Sequence, residues 1–208
     1  MHTTTTRTLA IAAALTLGLT LAGCSAGSSS SDADSSSSSS STSTASASAS
    51  ASASAHSDQD VMFAQMMLPH HKQAVEMSDM LLAKGSGVDT GVTDLAKQIK
   101  AEQSPEIKQL TSWLKSWGEP TESGHLGMGH SMSGMMSDSD MSDLDKSSAK
   151  NAGQLYLEQL VQHHEGAVDM AKTEVTKGAN IDAVRMAKSI VSGQTEQITQ
   201  MKDMLSSF

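Results

Sequence analysis

The strongest constraint on this chain is an internal repeat. Phe63-Ala-Gln-Met-Met-Leu-Pro-His-His-Lys-Gln-Ala-Val-Glu-Met77 recurs as Tyr156-Leu-Glu-Gln-Leu-Val-Gln-His-His-Glu-Gly-Ala-Val-Asp-Met170, 93 residues later. Lys84-Gly85 recurs as Lys177-Gly178, and beyond that the offset becomes 91, pairing Ile99 with Ile190, Gln103 with Gln194, Ile107 with Ile198 and Leu114 with Leu205. The change of two residues falls in a turn, where loop length costs little. A long repeat of this kind means that one supersecondary unit is used twice. Each unit reads as helix, Gly-containing turn, helix. The expected spans are 58–84, 91–117, 148–177 and 181–206, with Ser57-x-x-Asp60 as a start signal and Gly85 and Gly178 as stops. Pro69 and Pro105 fall inside two of these spans, and each removes an amide donor, so a kink or restart is expected there.

Apolar residues recur along each span with heptad-like spacing. Phe63, Met67, His70, Ala74, Met77 and Leu81 form one such seam, and Tyr156, Leu160, His163, Ala167, Met170 and Glu174 form its copy. One apolar seam per helix and two antiparallel hairpins predict an all-α four-helix bundle, because a single hairpin would leave its seam wet. Met67, Met201 and Met204 are read as ordinary core residues.

The middle of every seam is polar. His70 lies 14 residues before Lys84, while Gln103 and Glu106 lie 12 and 15 after Gly91. At 1.5 Å per residue these distances match at about 20 Å from the turn. The second hairpin repeats the arithmetic with His163, Gln194 and Gln197. His70, His163, Gln103, Glu106, Gln194 and Gln197 are therefore expected at one level, with His70 facing Gln103 and Glu106. His71 and His164 sit about 100° further round, on a second apolar stripe. Such a layer can be purely structural, with His satisfied by Gln and Glu and the register thereby set. It can also be a metal site, since imidazole is a common ligand for copper, zinc, nickel and iron and thioether favours Cu(I). Met77 and Met170 are the candidate thioether ligands within the repeats, with Met66 close in phase to His70.

Outside the repeats the composition changes. Arg7 precedes a short apolar run from Leu9 to Leu21, too short for a membrane-spanning helix, which ends in Leu21-Ala22-Gly23-Cys24. Residues 1–23 are read as a signal peptide. A cysteine directly after small residues resembles the lipobox of bacterial lipoproteins, so Cys24 is the expected lipidation site. Ser makes up 19 of the 33 residues from 25 to 57, and this stretch has nothing to pack. Residues 24–57 are thus a lipidated Cys followed by a tether spanning roughly 30 Å as a flexible coil. The foldable domain is 58–208. This predicts export and a lipid anchor on the outer face of the cell membrane, or on the periplasmic side if there are two membranes. The lone Cys leaves no disulfide framework and no Cys-based zinc site. A net charge of −9 argues against nucleic acid as a partner.

Between the hairpins, within the loop expected at 118–146, lie His125, Met128, His130, Met132, Met135 and Met136, interleaved with Gly and Ser. Too much Gly is present for a core element. A His-rich tract points to metal binding, and Met makes it soft enough for Cu(I) without deprotonation, which suits an exported protein.

The doubled motif Met67-Leu-Pro-His70-His71-Lys-Gln-Ala-Val-Glu-Met77 and Leu160-Val-Gln-His163-His164-Glu-Gly-Ala-Val-Asp-Met170 resembles the bacterial domain-of-unknown-function family 305, and Phe63, Trp113, Leu114 and Trp117-Gly118 agree. The resemblance covers residues 58–208. It implies a ferritin-like, usually exported helical bundle, and some members are implicated in copper binding or resistance while most have no assigned activity. It reaches His70, His71, Met77, His163, His164 and Met170. Gln197 stands where the first half has Glu106, and the Glu-x-x-His ligand motif of di-iron bundles is absent. The expected function is a membrane-tethered, extracytoplasmic, non-enzymatic protein that buffers or sequesters a metal ion, copper above all. A helical scaffold with a structural His layer and a metal-dependent oxidase are the alternatives, and no protein partner is indicated.

Overall fold

A computed structural model describes residues 55–121 and 133–208 of the chain. Among them are five α-helices: α1 (Asp58–Ala83), α2 (Thr90–Trp117), α3 (Asp138–Lys146), α4 (Ala149–Lys177) and α5 (Ile181–Leu205). The fold is an all-α helical bundle, and no described helix is long and apolar enough to cross a membrane. The four long helices match the expected spans to within one residue at each end. The short α3 was not expected; it sits inside the predicted loop, and Ser137 and Asp140 close its start in a capping box. Nine residues carry too little periodicity to stand out. Both α1 and α2 run without a break through Pro69 and Pro105, so neither proline restarts a helix.

Helix α1 starts where Ser57 and Asp60 cap each other reciprocally. Asp60 also accepts from the backbone amides of Ala179 and Asn180, which joins the start of α1 to the α4–α5 turn. Asp60 and Glu174 are both fully buried. Burial works to raise the Asp60 carboxyl, but hydrogen bonds from Glu174, the Ser57 hydroxyl and the Asn180 and Ser57 amides outweigh it and hold it at about 2. Burial, the hydrogen bond to Asp60 and the Asp60 charge push Glu174 up to about 8. The pair therefore holds one proton, on Glu174. Gly178 ends α4 with an extended backbone rather than a left-handed one. Its lack of a side chain matters because a Cβ there would stand 2.3 Å from Glu174 Oε1.

Helix α1 packs on α2, α4 on α5, and α1 on α4, whereas α2 and α5 barely touch. Ser78 bonds the Tyr156 hydroxyl at 2.8 Å at one end of the α1–α4 contact and Asp60 meets the α4–α5 turn at the other, so the two helices are antiparallel. The apolar core is split in two. One cluster holds Ala74, Met77, Leu81, Val92, Ile99, Tyr156, Leu160 and Met201; the other holds Phe63, Met67, Leu110, Leu114, Ala167, Ala187 and Ile190. Each fully buried Leu, Ile or Phe contributes roughly 1.5–3 kcal/mol. The residues that separate the clusters are polar.

Candidate metal centre

The dividing layer contains His70, His71, His163 and His164, all fully buried. The two copies of the motif meet across the antiparallel α1–α4 contact. His70 and His163 lie ring against ring, with centroids 3.7 Å apart and a tilt of 39°. The outer pair is anchored from α2 and α5: His71 Nε2 lies 2.8 Å from Glu106 Oε2, and His164 Nε2 lies 2.9 Å from Gln197 Oε1. The level predicted for these residues holds, but the pairing differs. Glu106 reaches the second His of its motif, not His70, because His70 turns towards α4.

These contacts assign the tautomers. A carboxylate only accepts, so the Gln197 amide nitrogen faces Glu102 Oε2, at 2.7 Å. Its carbonyl oxygen then faces His164, whose Nε2 must carry the proton. His71 likewise donates from Nε2 to the Glu106 carboxylate. In both rings Nδ1 makes no hydrogen bond. A metal-ligating His typically has its other nitrogen held in this way.

Six buried ring nitrogens have no hydrogen-bond partner: both of His70, both of His163, and Nδ1 of His71 and of His164. Burial pushes His70 down to about 3, reinforced by the charges that His71 and His164 can carry; the nearby Ser133 carbonyl acts weakly the other way without making a well-formed bond. Burial, then repulsion from His70, His164 and His71, holds His163 well below its ordinary value. Burial also lowers His164 to about 4, against its hydrogen bond to the Gln197 carbonyl oxygen. His70, His163 and His164 are neutral at any physiological pH, which is the state that binds metal. As they stand they do not converge: among the described residues no set of three or more His, Cys, Asp or Glu side chains has the geometry of a metal site.

A strap crosses α1 and α4 beside the layer. The Gln73 side chain donates to the Met136 carbonyl at 2.9 Å and accepts from the Met136 amide at 2.8 Å. Gly134 takes a left-handed φ of 81° and packs against Gly166, one helical turn from His163. A Cβ on Gly166 would stand 2.0 Å from the Ser133 carbonyl oxygen, which is backbone and cannot rotate aside. Gly166→Ala is expected to lift the strap, destabilise the protein by about 1–3 kcal/mol and remove hydrogen-exchange protection from the Met136 amide; a thermal melt and amide exchange check it.

The other predicted site residues are dispersed. Met77 lies in the first apolar cluster and Met170 packs against the second, each about 10 Å along its helix from the layer and on opposite sides of it. Gln103 and Gln194 are buried with unpartnered carbonyl oxygens. Met135 is partly buried, and Met136 and Met141 pack against the first cluster, a role that was not expected for loop methionines. His125, Met128, His130 and Met132 lie outside the described residues, as does Cys24. Gln73, Gly166 and Glu102 were missed.

Residues 60–205 match the family described as Domain of unknown function (DUF305). The chain belongs to this family. A DUF305 protein from Streptomyces coelicolor, provisionally named as secreted, is 33% identical with a TM-score of 0.66, over 72% of this chain and 91% of that one. A DUF305 fragment from Deinococcus radiodurans is 28% identical with a TM-score of 0.64, over 74% and 99%. CopM in its Cu(II)-bound form is 28% identical with a TM-score of 0.60, over 71% and 96%. CopM is also known in Cu(I)-bound and Ag-bound forms. No curated protein matches the chain. This DUF305 protein thus has a metal-binding protein among its structural neighbours.

Proposed function

We propose that this DUF305 protein is an extracytoplasmic copper-binding protein that buffers or sequesters the ion without turnover. The observation that carries the reading is the set of six buried, unpartnered ring nitrogens. Unsatisfied buried polar atoms are rare in natural proteins, and a bound ion is one of the few things that explains them. The donor set fits copper in kind: four buried imidazoles, two of them held through Nε2 by Glu106 and Gln197. Ligation requires the stacked His70 and His163 rings to rotate so that lone pairs converge. In this reading the bundle is a ferritin-like four-helix arrangement. The loop residues His125, Met128, His130, Met132, Met135 and Met136 capture the ion, and lipidated Cys24 and the Ser-rich segment tether the domain to the membrane. The copper-bound forms of CopM support the metal assignment by similarity.

The alternative of a purely structural layer is favoured by one observation, the lack of convergence among the rings. Titrating the full chain with Cu(I) against a competing chelator, beside a His71→Ala/His164→Ala variant and a scrambled-loop variant, separates the two. Loss of copper affinity by at least about tenfold in the His variant is expected, since even residues behind the ligands are worth about 10–100-fold. Equal affinity in the His variant and the native chain refutes the layer as the site.

A further inference from the structure

The two halves of the histidine layer are built alike but charged differently. His71 and His164 are repeat equivalents, and so are the residues that hold them, Glu106 and Gln197. Both contacts are made at Nε2, at 2.8 and 2.9 Å. The geometry is kept across the pseudo-symmetry while the acceptor changes from a carboxylate to a neutral amide. Among the described residues, Glu106 is the one carboxylate hydrogen-bonded to a histidine of the layer. No Lys or Arg among them pairs with it. Its side chain is 23% exposed against 0% for His71, so the charge sits at the rim of the layer, where water screens it only in part.

The other half has no such charge in contact. Glu102 reaches His164 only through the Gln197 amide. It is exposed and also accepts from Gln98, so solvent screens it more strongly. Its repeat equivalent is Gly193, which has no side chain to mirror it. A carboxylate behind a ligating imidazole makes the ligand more basic. Coulomb attraction scales with ionic charge, so a doubly charged ion gains about twice as much from Glu106 as a singly charged one. Imidazole suits copper generally, whereas thioether favours Cu(I), and Met77 and Met170 lie away from the layer. We infer that Glu106 is a specificity-determining residue, whose charge, delivered through His71, shifts the preference of the layer towards Cu(II) over Cu(I). This rests on the copper reading above and adds which residue decides the oxidation state that is held.

Glu106→Gln changes the charge and little else, since its side-chain oxygen can accept from His71 as that of Gln197 accepts from His164. Cu(II) and Cu(I) affinities of the full chain are measured by competition with chelators, the second under reductant. Glu106→Gln is expected to weaken Cu(II) by about 10–100-fold and Cu(I) by only about three- to tenfold, with the metal-free melting temperature close to that of the native chain. Glu102→Gln/Gln197→Glu brings a charge onto His164, facing an amide instead of a second carboxylate, and is expected to tighten Cu(II) more than Cu(I). Asp94→Asn removes an exposed charge roughly 18 Å along α2 from Glu106 and is expected to leave the ratio unchanged. A Cu(II)-to-Cu(I) ratio that Glu106→Gln does not move, an equal loss of both ions included, overturns the assignment and leaves the copper reading standing. So does an equal shift with Asp94→Asn. A native chain that binds neither ion refutes the copper reading itself, and this inference with it.

Discussion

Replacing His70 and His163 together by leucine is expected to raise the melting temperature of the metal-free protein and to abolish its stabilisation by copper. Four ring nitrogens in these two residues are buried without partners. An unsatisfied buried polar group costs about 1–3 kcal/mol. Counting one group per ring gives roughly 2–6 kcal/mol recovered on substitution, provided leucine fills the space of the stacked rings. For a domain of this size each kcal/mol moves the melting temperature by roughly 2–4 °C. A ligand that binds only the folded state stabilises it by about 4 kcal/mol at a thousand times its dissociation constant. The native chain should therefore start lower and climb with copper, while the leucine variant starts higher and does not move. Calorimetry with and without Cu(I) makes the comparison. An equal copper-induced shift in both proteins would place the ion elsewhere in the chain.

The second large effect is on the pH dependence of the metal-free protein. Unfolded His takes up a proton near pH 6.5, but folded His70 and His164 resist until about 3 and 4, and His163 is also held low. The unfolded state binds more protons in that window, so stability is intact above pH 6.5 and drains away as the pH falls towards the folded values. Each ring contributes roughly 1 kcal/mol per pH unit, and three together are enough to unfold a marginal domain between pH 6 and 4. Glu174 works in the opposite direction. Its folded value of about 8 exceeds the ordinary 4.5, so its stabilisation is complete below 4.5 and lost as the pH rises through 8. Urea unfolding across pH 4–9 should give a maximum near pH 6 to 7, steep on the acid side. Glu174→Gln, whose amide can still donate to Asp60, should flatten the alkaline side and steepen the limb between pH 4.5 and 6.5. A level profile between pH 4 and 6.5 would show that the rings are not sealed from protons.

The repeat breaks in the same sense at two positions. Gln73 and Gly166 are equivalent in the two halves, and both hold the strap: one clamps Met136, the other makes room for Ser133. Glu102 and Gly193 are also equivalent, and they shape the seam between α2 and α5. In each case a long polar side chain faces a glycine across the pseudo-symmetry. That mismatch is visible in the aligned repeats, but its meaning depends on which backbone lies opposite.

The sequence by itself determined the helix spans, the order of the hairpins and the depth of the polar layer. Those follow from the repeat, the caps and a rise of 1.5 Å per residue, which are properties of one helix at a time. Rotation about each helix axis is different, because it is settled by packing against neighbours. Only the tertiary structure decided that His70 meets His163 across α1 and α4, that Glu106 and Gln197 hold the outer pair instead, and that a strap covers one face while α2 and α5 splay on the other.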